Sequence, residues 1–380
     1  MKDFDYIIAG AGCAGMSLMF QFLNSSLKHK KILLIDPTFS NPKPKTWCYW
    51  NTQPLNIHPP GAEKSWSKFT LQGKDEKLNL GFDDLRYYHI NSFDFFDWME
   101  KTISLHPNVS KLEDNVVQIS ESWSNAKVTT ATGQVYTADW VFDSRLNSDT
   151  DFDPNTLKQI FSGWRVEMDK PVFDSEAMTF MDFSGSNSNA FEFIYVLPFS
   201  EKSALVEFTT YTKGGVSLQT LDKELQKYLA KKFPNVAYQV SYREDGVIPM
   251  TTKLKKSSSN GHIIPIGTRA GWTKASTGYT FHTIQKHCEQ IVSDIEQGIH
   301  PLSKVRKSTR FSFYDNILLN IASKQPARLQ EVFMDMFRSV KVSKILKFLS
   351  EETAFQEEVS LLSKLKFGVF IESLMSYEKH

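Results

Sequence analysis

The sequence predicts an α/β protein in which an antiparallel β-sheet is inserted into a nucleotide-binding unit and a helical region follows at the C-terminus. Three observations predict this arrangement. An apolar strand runs into a glycine-rich turn at the start of the chain, apolar and polar residues alternate through its middle, and apolar residues recur at spacings of three and four near its end.

The glycine-rich turn is the most informative motif. After the strand, Gly10, Gly12 and Gly15 follow at GxGxxG spacing, residues 16–27 read as a helix, and a second apolar run ends in Asp36. The first glycine permits a tight turn, the second lets backbone approach a pyrophosphate, and the third seats the helix on the strand. An acid about 20 residues further on suits an adenosine ribose. The pattern predicts a dinucleotide site, although a glycine-rich turn in an unrelated α/β protein would read similarly.

Composition limits the function. The chain has 380 residues, is 41% hydrophobic and carries a net charge of +1, so it can bury a large core but offers no basic field for nucleic acid. Three distant cysteines fit a reducing compartment and predict no metal site. No apolar run approaches the roughly 20 residues that cross a bilayer. We therefore expect a cytoplasmic protein without a cleaved leader.

The order of these patterns predicts the domain organisation. Residues 1–150 contain the dinucleotide unit, and residues 151–254 alternate in the manner of an antiparallel sheet. A short apolar strand near residue 264 then resembles the buried strands of the first region. Residues 255–300 are therefore expected to complete a discontinuous cofactor domain. Residues 301–380 are expected to be helical.

Several short blocks, all in the same order, resemble the flavin-dependent lycopene cyclase family. They lie at residues 45–50, 163–167, 180–183, 195–199, 205–209, 244–250 and 266–279, and the helical tail extends the likeness over essentially the whole chain. One departure is Asp245, which fills a variable slot. The resemblance implies an FAD-binding domain of the Rossmann-like, glutathione-reductase-like type.

The resemblance also implies an activity. Such enzymes close the linear ends of lycopene into β-ionone-type rings, as in β-carotene formation, with FAD in its reduced form and no net redox change. NAD(P)H is the implied reductant. Cyclisation needs a proton delivered to a double bond, a carbocation kept from water and a proton removed. A carboxyl group buried among hydrocarbons has a raised pKa and can serve as acid and then as base.

Glu207 is the leading candidate for this carboxyl group. It interrupts the apolar strand 203–211, where burying an acid is costly unless it is partnered. Alternation alone leaves open that Glu207 faces solvent on a one-sided sheet. The family resemblance places the principal catalytic carboxylate at this position.

Three further acids compete for supporting roles. Glu167 shares a strand face with Arg165, so an exposed cross-strand pair is the alternative to catalysis. Asp182 lies in a motif that the resemblance ties to activity, but an edge-strand acid before a turn would look the same. Glu244 precedes a turn that approaches the flavin in the family, and its alternative is a turn-capping acid.

The resemblance extends the predicted cofactor site beyond the first glycines. It implies contacts from residues that follow the sheet and from two early positions, namely Gly267, Gly271, Thr277, Gly278, Ala14 and Trp47. Thr277 could equally be a plain helix N-cap. The spacing of His282 and His287 does not suit a shared metal ion.

Other functions remain open. A flavin monooxygenase or prenyl reductase would share the cofactor fold, as would a non-catalytic carotenoid carrier, although a pure binding tunnel has no need of buried acids. A polyene substrate must be collected from a bilayer, and the apolar and basic stretch 355–375 is consistent with peripheral membrane contact. A helix packed on the cofactor domain is the alternative for that stretch.

Overall fold

The computed structural model describes residues 2–62, 64–146, 152–185, 189–253, 261–301, 309–365 and 367–380. Within these ranges, strands dominate the first two thirds of the chain and helices the last third. The strands are β1 Phe4–Ala9, β2 Ile32–Ile35, β3 Thr46–Asn51, β4 Lys64–Trp66, β5 Lys68–Gln72, β6 Lys77–Gly81, β7 Arg86–Asn91, β8 Val109–Leu112, β9 Val116–Glu121, β10 Ala126–Thr130, β11 Val135–Asp143, β12 Leu157–Met168, β13 Ala177–Asp182, β14 Phe191–Pro198, β15 Ser203–Thr212, β16 Tyr238–Met250 and β17 Ile263–Pro265. The helices are α1 Cys13–Leu23, α2 Ser92–Ser104, α3 Leu218–Lys232, α4 Phe281–Glu296, α5 Thr309–Lys324, α6 Pro326–Ser339, α7 Val342–Leu349, α8 Phe355–Leu362 and α9 Phe367–Met375. The predicted mixture of strands and helices is confirmed.

The first sheet holds the glycine-rich turn. Its strand order is β8-β2-β1-β11-β10-β9, with β17 beside β11. Strand β1 pairs in parallel with both β2 and β11, and all four residues of β2 are buried, as expected for a parallel sheet covered on both faces. Strand β17 returns the chain to this sheet after the second sheet has been built.

The second sheet has the order β16-β12-β15-β14-β13-β5-β6. Its neighbours are antiparallel except for β13 and β5, which are parallel. Strands β5 and β6 extend this sheet beyond the predicted segment 151–254 into the region assigned to the cofactor domain. These strands are short and largely half-exposed, so the sequence there reads as polar loop.

Both faces of the second sheet are covered. On one face, Leu221 and Leu225 of α3 pack against Val206 and Phe208 of β15. On the other face, the C-terminal helices approach, and the rings of Phe191 and Phe333 stack with centroids 5.7 Å apart. A side chain on either face of β15 is therefore inside the protein, which removes the alternative of a one-sided sheet.

The C-terminal region is helical, as predicted. The amphipathic stretch 355–375 forms two helices, α8 and α9, and its buried residues include Leu361, Leu365 and Val369, which join the main core. Within the described ranges, no helix is both long and apolar enough to cross a membrane.

A buried ionic cluster ties the loop that follows β17 to the helical region. Lys274 is 5% exposed, and its Nζ lies 2.9 Å from an Asp315 carboxylate oxygen and 3.1 Å from one of Glu351. The Ser276 hydroxyl donates to the same Asp315 oxygen over 2.6 Å. Burial opposes the charged form of Lys274, but the two carboxylates outweigh it and leave the pKa of Lys274 raised.

Lys274→Met should lower the free energy of unfolding by about 3 kcal/mol, because it leaves Asp315 buried with no ammonium beside it. Urea denaturation at neutral pH measures this change. The control is Lys286→Met, since Lys286 pairs with Glu352 at 3.4 Å on the surface and should cost less than about 1 kcal/mol. Equal losses in both variants would contradict a structural role for the buried cluster.

Candidate active site

A cavity of about 520 Å³ lies where the two large sheets meet the C-terminal helices. The glycine-rich turn, strand β3, the loop after β17 and the cavity-facing side of the second sheet all contribute to its wall. Aromatic side chains dominate that wall, namely Trp47, Trp50, Tyr87, Phe161, Phe180, Phe191, Phe193, Tyr195, Tyr211, Tyr279, Phe281 and Phe333. One aromatic-lined space is therefore continuous with the predicted dinucleotide turn.

The turn itself has the geometry that a pyrophosphate needs. Gly10 has a φ of +98°, and a Cβ on Gly15 would lie 1.9 Å from the Gly10 carbonyl oxygen. A Cβ on Gly12 would meet nothing within 4 Å, so the turn leaves open space at the start of α1. Gly12 and Ala14 line the cavity, whereas Gly10 and Gly15 do not border it and instead allow the close backbone packing of the turn.

Asp36 supports the same turn. Its carboxylate accepts a hydrogen bond from the backbone N–H of Ala11 over 2.7 Å, and its other oxygen accepts from Thr38. Asp36 does not border the cavity. The ribose contact that the sequence suggests for it stays a prediction.

The loop after β17 lies opposite the glycine-rich turn, and together they form the glycine-lined part of the cavity wall. Gly267 has a φ of +64°, and a Cβ there would lie 2.8 Å from the Cβ of Ala14. Gly271, at φ +73°, ends a short 3₁₀ turn and lies away from the cavity. Thr277 and Gly278 line the cavity. Helix α4 begins three residues later than an N-cap at Thr277 requires, so that alternative is wrong.

Gln159 is a cavity residue that sequence reasoning missed. It is 8% exposed, lines the cavity, and its Oε1 finds no hydrogen-bond partner among the described residues. A Cβ on Gly278 would lie 2.6 Å from that oxygen. Open space at Gly12, crowding at Gly267 and Gly278, and an unsatisfied amide oxygen together fit a bound group with both phosphates and polar ring edges.

Trp47 lies between the cavity and the core of the first domain. Its ring packs edge-on against Phe95 at 5.4 Å and stacks with Phe281 at 6.1 Å. Nearby, Trp50 stacks on Tyr279 with centroids 4.1 Å apart. These contacts give the cavity a rigid aromatic wall beside the glycine loops.

Glu207 lies on the cavity wall, on strand β15. Its Oε1 accepts a hydrogen bond from the Thr209 hydroxyl over 2.8 Å. Burial, followed by the negative charge of Glu244, raises the pKa of Glu207 to about 8, against smaller opposing effects of the Thr209 hydrogen bond and of Lys45. Glu207 is therefore a carboxylic acid at neutral pH, placed among aromatic rings.

Glu244 lies behind the wall rather than on it. It is 4% exposed and does not border the cavity. Burial raises its pKa to about 7, while Thr46 and Lys45 act in the opposite direction. The cofactor contact suggested for Glu244 stays a prediction.

The structure does not bring Asp182 into this cavity. A β-bulge in β13 places both Phe180 and Met181 on the cavity side, so Asp182 points to the other face of the sheet. There its carboxylate accepts from Tyr228 Oη and Lys232 Nζ, each at 3.1 Å. Burial raises the pKa of Asp182, but the Ser184 side chain and N–H, followed by Lys232, outweigh it and leave the pKa lowered, which suits a structural ion pair.

Glu167 is also outside the cavity. Its side chain is 48% exposed, and its carboxylate accepts from the Ser203 hydroxyl at 2.6 Å and lies 3.4 Å from Arg165. This is the exposed cross-strand arrangement that the sequence left open. Of the three acids predicted to be catalytic, the structure places only Glu207 on the cavity wall.

Three further cavity residues form a polar chain next to Glu207. Tyr195 Oη donates to Tyr87 Oη over 3.0 Å and lies 3.5 Å from Cys48 Sγ. Tyr195 is also the direct cross-strand neighbour of Glu207. Sequence reasoning missed this chain because its members come from three strands: Tyr195 is on β14 of the second sheet, whereas Cys48 and Tyr87 are on β3 and β7 of a separate three-stranded sheet with the order β3-β7-β4.

Glu207→Gln should change how stability depends on pH. The wild-type carboxyl binds its proton up to about pH 8 when folded but only to about pH 4.5 when unfolded, so wild-type stability falls as the pH rises between these values. The variant should therefore gain about 4 kcal/mol over wild type between pH 5 and pH 8.5. Thermal unfolding across this pH range measures the gain.

The matched control is Glu167→Gln, because Glu167 is a strand glutamate with an exposed side chain. It should leave the pH dependence as in wild type. Parallel stability curves for wild type and Glu207→Gln would contradict the raised pKa.

Comparison with known proteins agrees with the family suggested by the sequence. The profile of the lycopene cyclase protein family matches residues 5–375. Over 132 residues the chain is 30% identical to a lycopene β-cyclase of Paracoccus sp. (strain N81106 / MBIC 01143), which covers 32% of this chain and 32% of that protein. The matched segment thus spans about a third of that relative.

Two solved structures share the fold over nearly their whole length. A geranylgeranyl bacteriochlorophyll reductase-like protein of Thermoplasma acidophilum superimposes with a TM-score of 0.62 at 13% identity, covering 98% of both chains. A flavoprotein/dehydrogenase of Cytophaga hutchinsonii gives a TM-score of 0.59 at 10% identity, again over 98% of both chains. The fold is thus that of known flavoproteins, and since the family profile spans almost the entire sequence, the chain belongs to the lycopene cyclase family.

Proposed function

We propose that this protein cyclises the linear ends of lycopene, or of a closely related acyclic carotene, to β-type rings by acid/base chemistry. Glu207 is the acid and base of this reaction, and FAD in its reduced form is the cofactor. The family membership and the lycopene β-cyclase among its relatives support this proposal.

One observation carries the proposal. Glu207 presents a carboxyl group with a pKa of about 8 to a cavity whose wall is mainly aromatic. Water would keep such a group ionised, whereas the desolvated site keeps it protonated. A protonated carboxyl beside an apolar cavity suits proton transfer to a carbon–carbon double bond.

Glu207 by itself can supply the proton that the reaction consumes and take up the proton that it releases. Glu207 donates its proton to the terminal double bond and becomes a carboxylate, ring closure moves the positive charge along the chain, and Glu207 recovers a proton when the new ring double bond forms. Tyr195 and Phe193 line the same cavity, and their rings would stabilise the intermediate cation through their quadrupoles. The same rings exclude water, which would otherwise trap the cation as an alcohol.

The glycine-rich turn and the loop after β17 would hold FAD. Backbone N–H groups at the start of α1 would bind its pyrophosphate, with Ala14, Gly267, Thr277 and Gly278 against the rest of the molecule. Reduced FAD would supply a fixed negative charge or a proton relay near the substrate, without net transfer of electrons. NAD(P)H is the proposed source of the reducing equivalents.

The proposal is tested by producing the protein in a bacterium that accumulates lycopene. Wild type should convert the red pigment to a cyclised carotene, and chromatography identifies the ring type. Glu207→Gln should lower conversion by at least about 100-fold, because an amide cannot deliver the proton. Glu192→Gln is the control, since Glu192 lies on the neighbouring strand with its side chain on the opposite face.

Unchanged lycopene in cells that contain soluble, flavin-loaded wild-type protein would overturn the proposal. Oxygen uptake coupled to NADPH consumption and an oxygenated product would instead identify a monooxygenase. A reduced product would identify a prenyl reductase, and retention of pigment without conversion would identify a carrier.

We also propose that the C-terminal helices contact a membrane, where the protein collects its insoluble substrate. Large apolar side chains are exposed on α8 and α9, including Phe355, Val359, Ile371 and Met375. These residues lie within the apolar and basic stretch 355–375. Exposed apolar side chains on short helices are typical of proteins that lie on a bilayer.

Val359→Glu combined with Ile371→Glu should reduce binding to vesicles of phosphatidylcholine and phosphatidylglycerol by about tenfold, because both charges would enter the acyl boundary. Flotation of the vesicles measures the bound fraction. Trp123→Glu is the control, since Trp123 is fully exposed in the turn between β9 and β10. Equal binding by all three proteins would remove α8 and α9 from the contact.

A further inference from the structure

A row of residues crosses the second sheet at the position of Glu207. Glu244 on β16 pairs with Gly163 on β12, and Gly163 pairs with Glu207 on β15. Directly paired residues of an antiparallel sheet point to the same face. The two glutamates therefore lie on one face, with a glycine between them.

Building on the proposed function, we propose that Glu207 and Glu244 act as one unit that holds a single proton between two carboxyl groups, and that Gly163 keeps the space between them open. In this unit Glu207 is the catalytic residue. Glu244 is a positioning residue, which acts through Glu207 and does not touch the substrate.

The space between the two glutamate side chains requires a glycine at position 163. Adjacent strands are about 4.8 Å apart, so the Cα atoms of Glu207 and Glu244 are separated by roughly 10 Å, which two glutamate side chains can bridge. A Cβ at Gly163 would lie 3.1 Å from Glu244 Cγ and 3.3 Å from Leu205 Cδ1. Any larger side chain at position 163 would fill the gap between the two carboxyl groups.

Glu244 has the environment of a proton-sharing group rather than of a structural ion pair. It is 4% exposed, and its Oε2 finds no hydrogen-bond partner among the described residues. A buried ionised carboxylate without a full set of hydrogen-bond donors is costly. Ionised Glu244 is therefore favoured only when the neighbouring Glu207 keeps its proton. The negative charge of Glu244 in turn raises the pKa of Glu207.

Lys45 supplies one positive charge beside the pair, which cannot balance two ionised glutamates. Lys45 lowers the pKa of both carboxyls, and its Nζ also donates to the carbonyl oxygen of Asp245. Among the residues that the structure describes, the other titratable neighbours are the Asp245 carboxylate and groups that stay neutral near pH 7, namely Cys48, Tyr87, Tyr195 and Tyr242. Two full negative charges would exceed the positive charge at the site.

The arrangement has a consequence for the reaction. When Glu207 gives up its proton, the unit would carry two charges if Glu244 were already ionised. This raises the free energy of the ionised Glu207 and favours return of the proton at the end of ring closure. The pair therefore keeps Glu207 protonated up to a higher pH than a lone carboxyl in the same cavity.

The test compares pH profiles of cyclisation. Glu244→Gln removes the neighbouring charge, so Glu207 should ionise at lower pH and the alkaline limb of the rate profile should move down by about one pH unit. At pH 8.5 the variant should therefore lose about tenfold more activity, relative to its own rate at pH 6, than wild type does. Glu192→Gln is the control, because Glu192 has its side chain on the opposite face of the sheet, and its profile should match wild type.

Infrared difference spectroscopy tests the pair without any turnover. The C=O stretching band of protonated carboxyl groups should titrate in wild type over a broad range in two coupled steps, and in Glu244→Gln as a single step at lower pH. Gly163→Ala, which leaves both acids in place, should also narrow the titration. An unshifted limb and an unshifted band in Glu244→Gln would overturn the proposal.

The two readouts separate this proposal from the proposed function. Coupled carboxyl titration in a protein that leaves lycopene unchanged would refute the cyclase function and retain the pair. Cyclisation with a wild-type pH profile in Glu244→Gln would retain the function and refute the pair.

Discussion

The desolvation of one carboxyl group, that of Glu207, is the constraint that links the sheet, the cavity and the C-terminal helices. Glu207 lies on a strand whose two faces are both covered, by α3 on one side and by the cavity and the C-terminal helices on the other. Removing water from this strand raises the pKa of Glu207, and the neighbouring Glu244 raises it further. Every element that closes the cavity therefore also sets the protonation of its acid, so the helical region serves chemistry as well as packing.

Small local irregularities in the second sheet determine which side chains face the cavity. The β-bulge in β13 turns Phe180 and Met181 towards the cavity and sends Asp182 to the opposite face, where Lys232 pairs with it. Glycines have a related effect: Gly163 leaves room between two acids, and at Gly246 a Cβ would lie 2.4 Å from the Phe161 ring. The sheet thereby presents an aromatic surface with one cavity-facing acid instead of a regular alternation.

The loop after β17, which we propose to hold the cofactor, is connected by hydrogen bonds and an ion pair to the other elements around the cavity. The loop after β17 contributes Thr277 and Gly278 to the cavity, and the same loop is anchored to the helical region by Lys274 and Asp315. Tyr211, on the strand of Glu207, donates to the carbonyl oxygen of Ser276 in this loop. The loop after β17, Glu207 and the C-terminal helices are thus held in one framework, in which a shift of any part changes the cavity.

The sequence by itself determined the features that local chemistry dictates: the glycine-rich turn, the mixed α/β pattern, the helical tail and the family. It also singled out Glu207, which is an acid in an apolar strand and which the family resemblance places as the principal catalytic carboxylate. Only the tertiary structure decided which acids share a cavity. The row from Glu244 through Gly163 to Glu207 joins pairs of residues that are about 80 and about 40 positions apart in the chain, and the bulge that diverts Asp182 leaves no periodic signal. Strand pairing and register are long-range properties, so the face on which a side chain lies was settled only when the sheet was assembled.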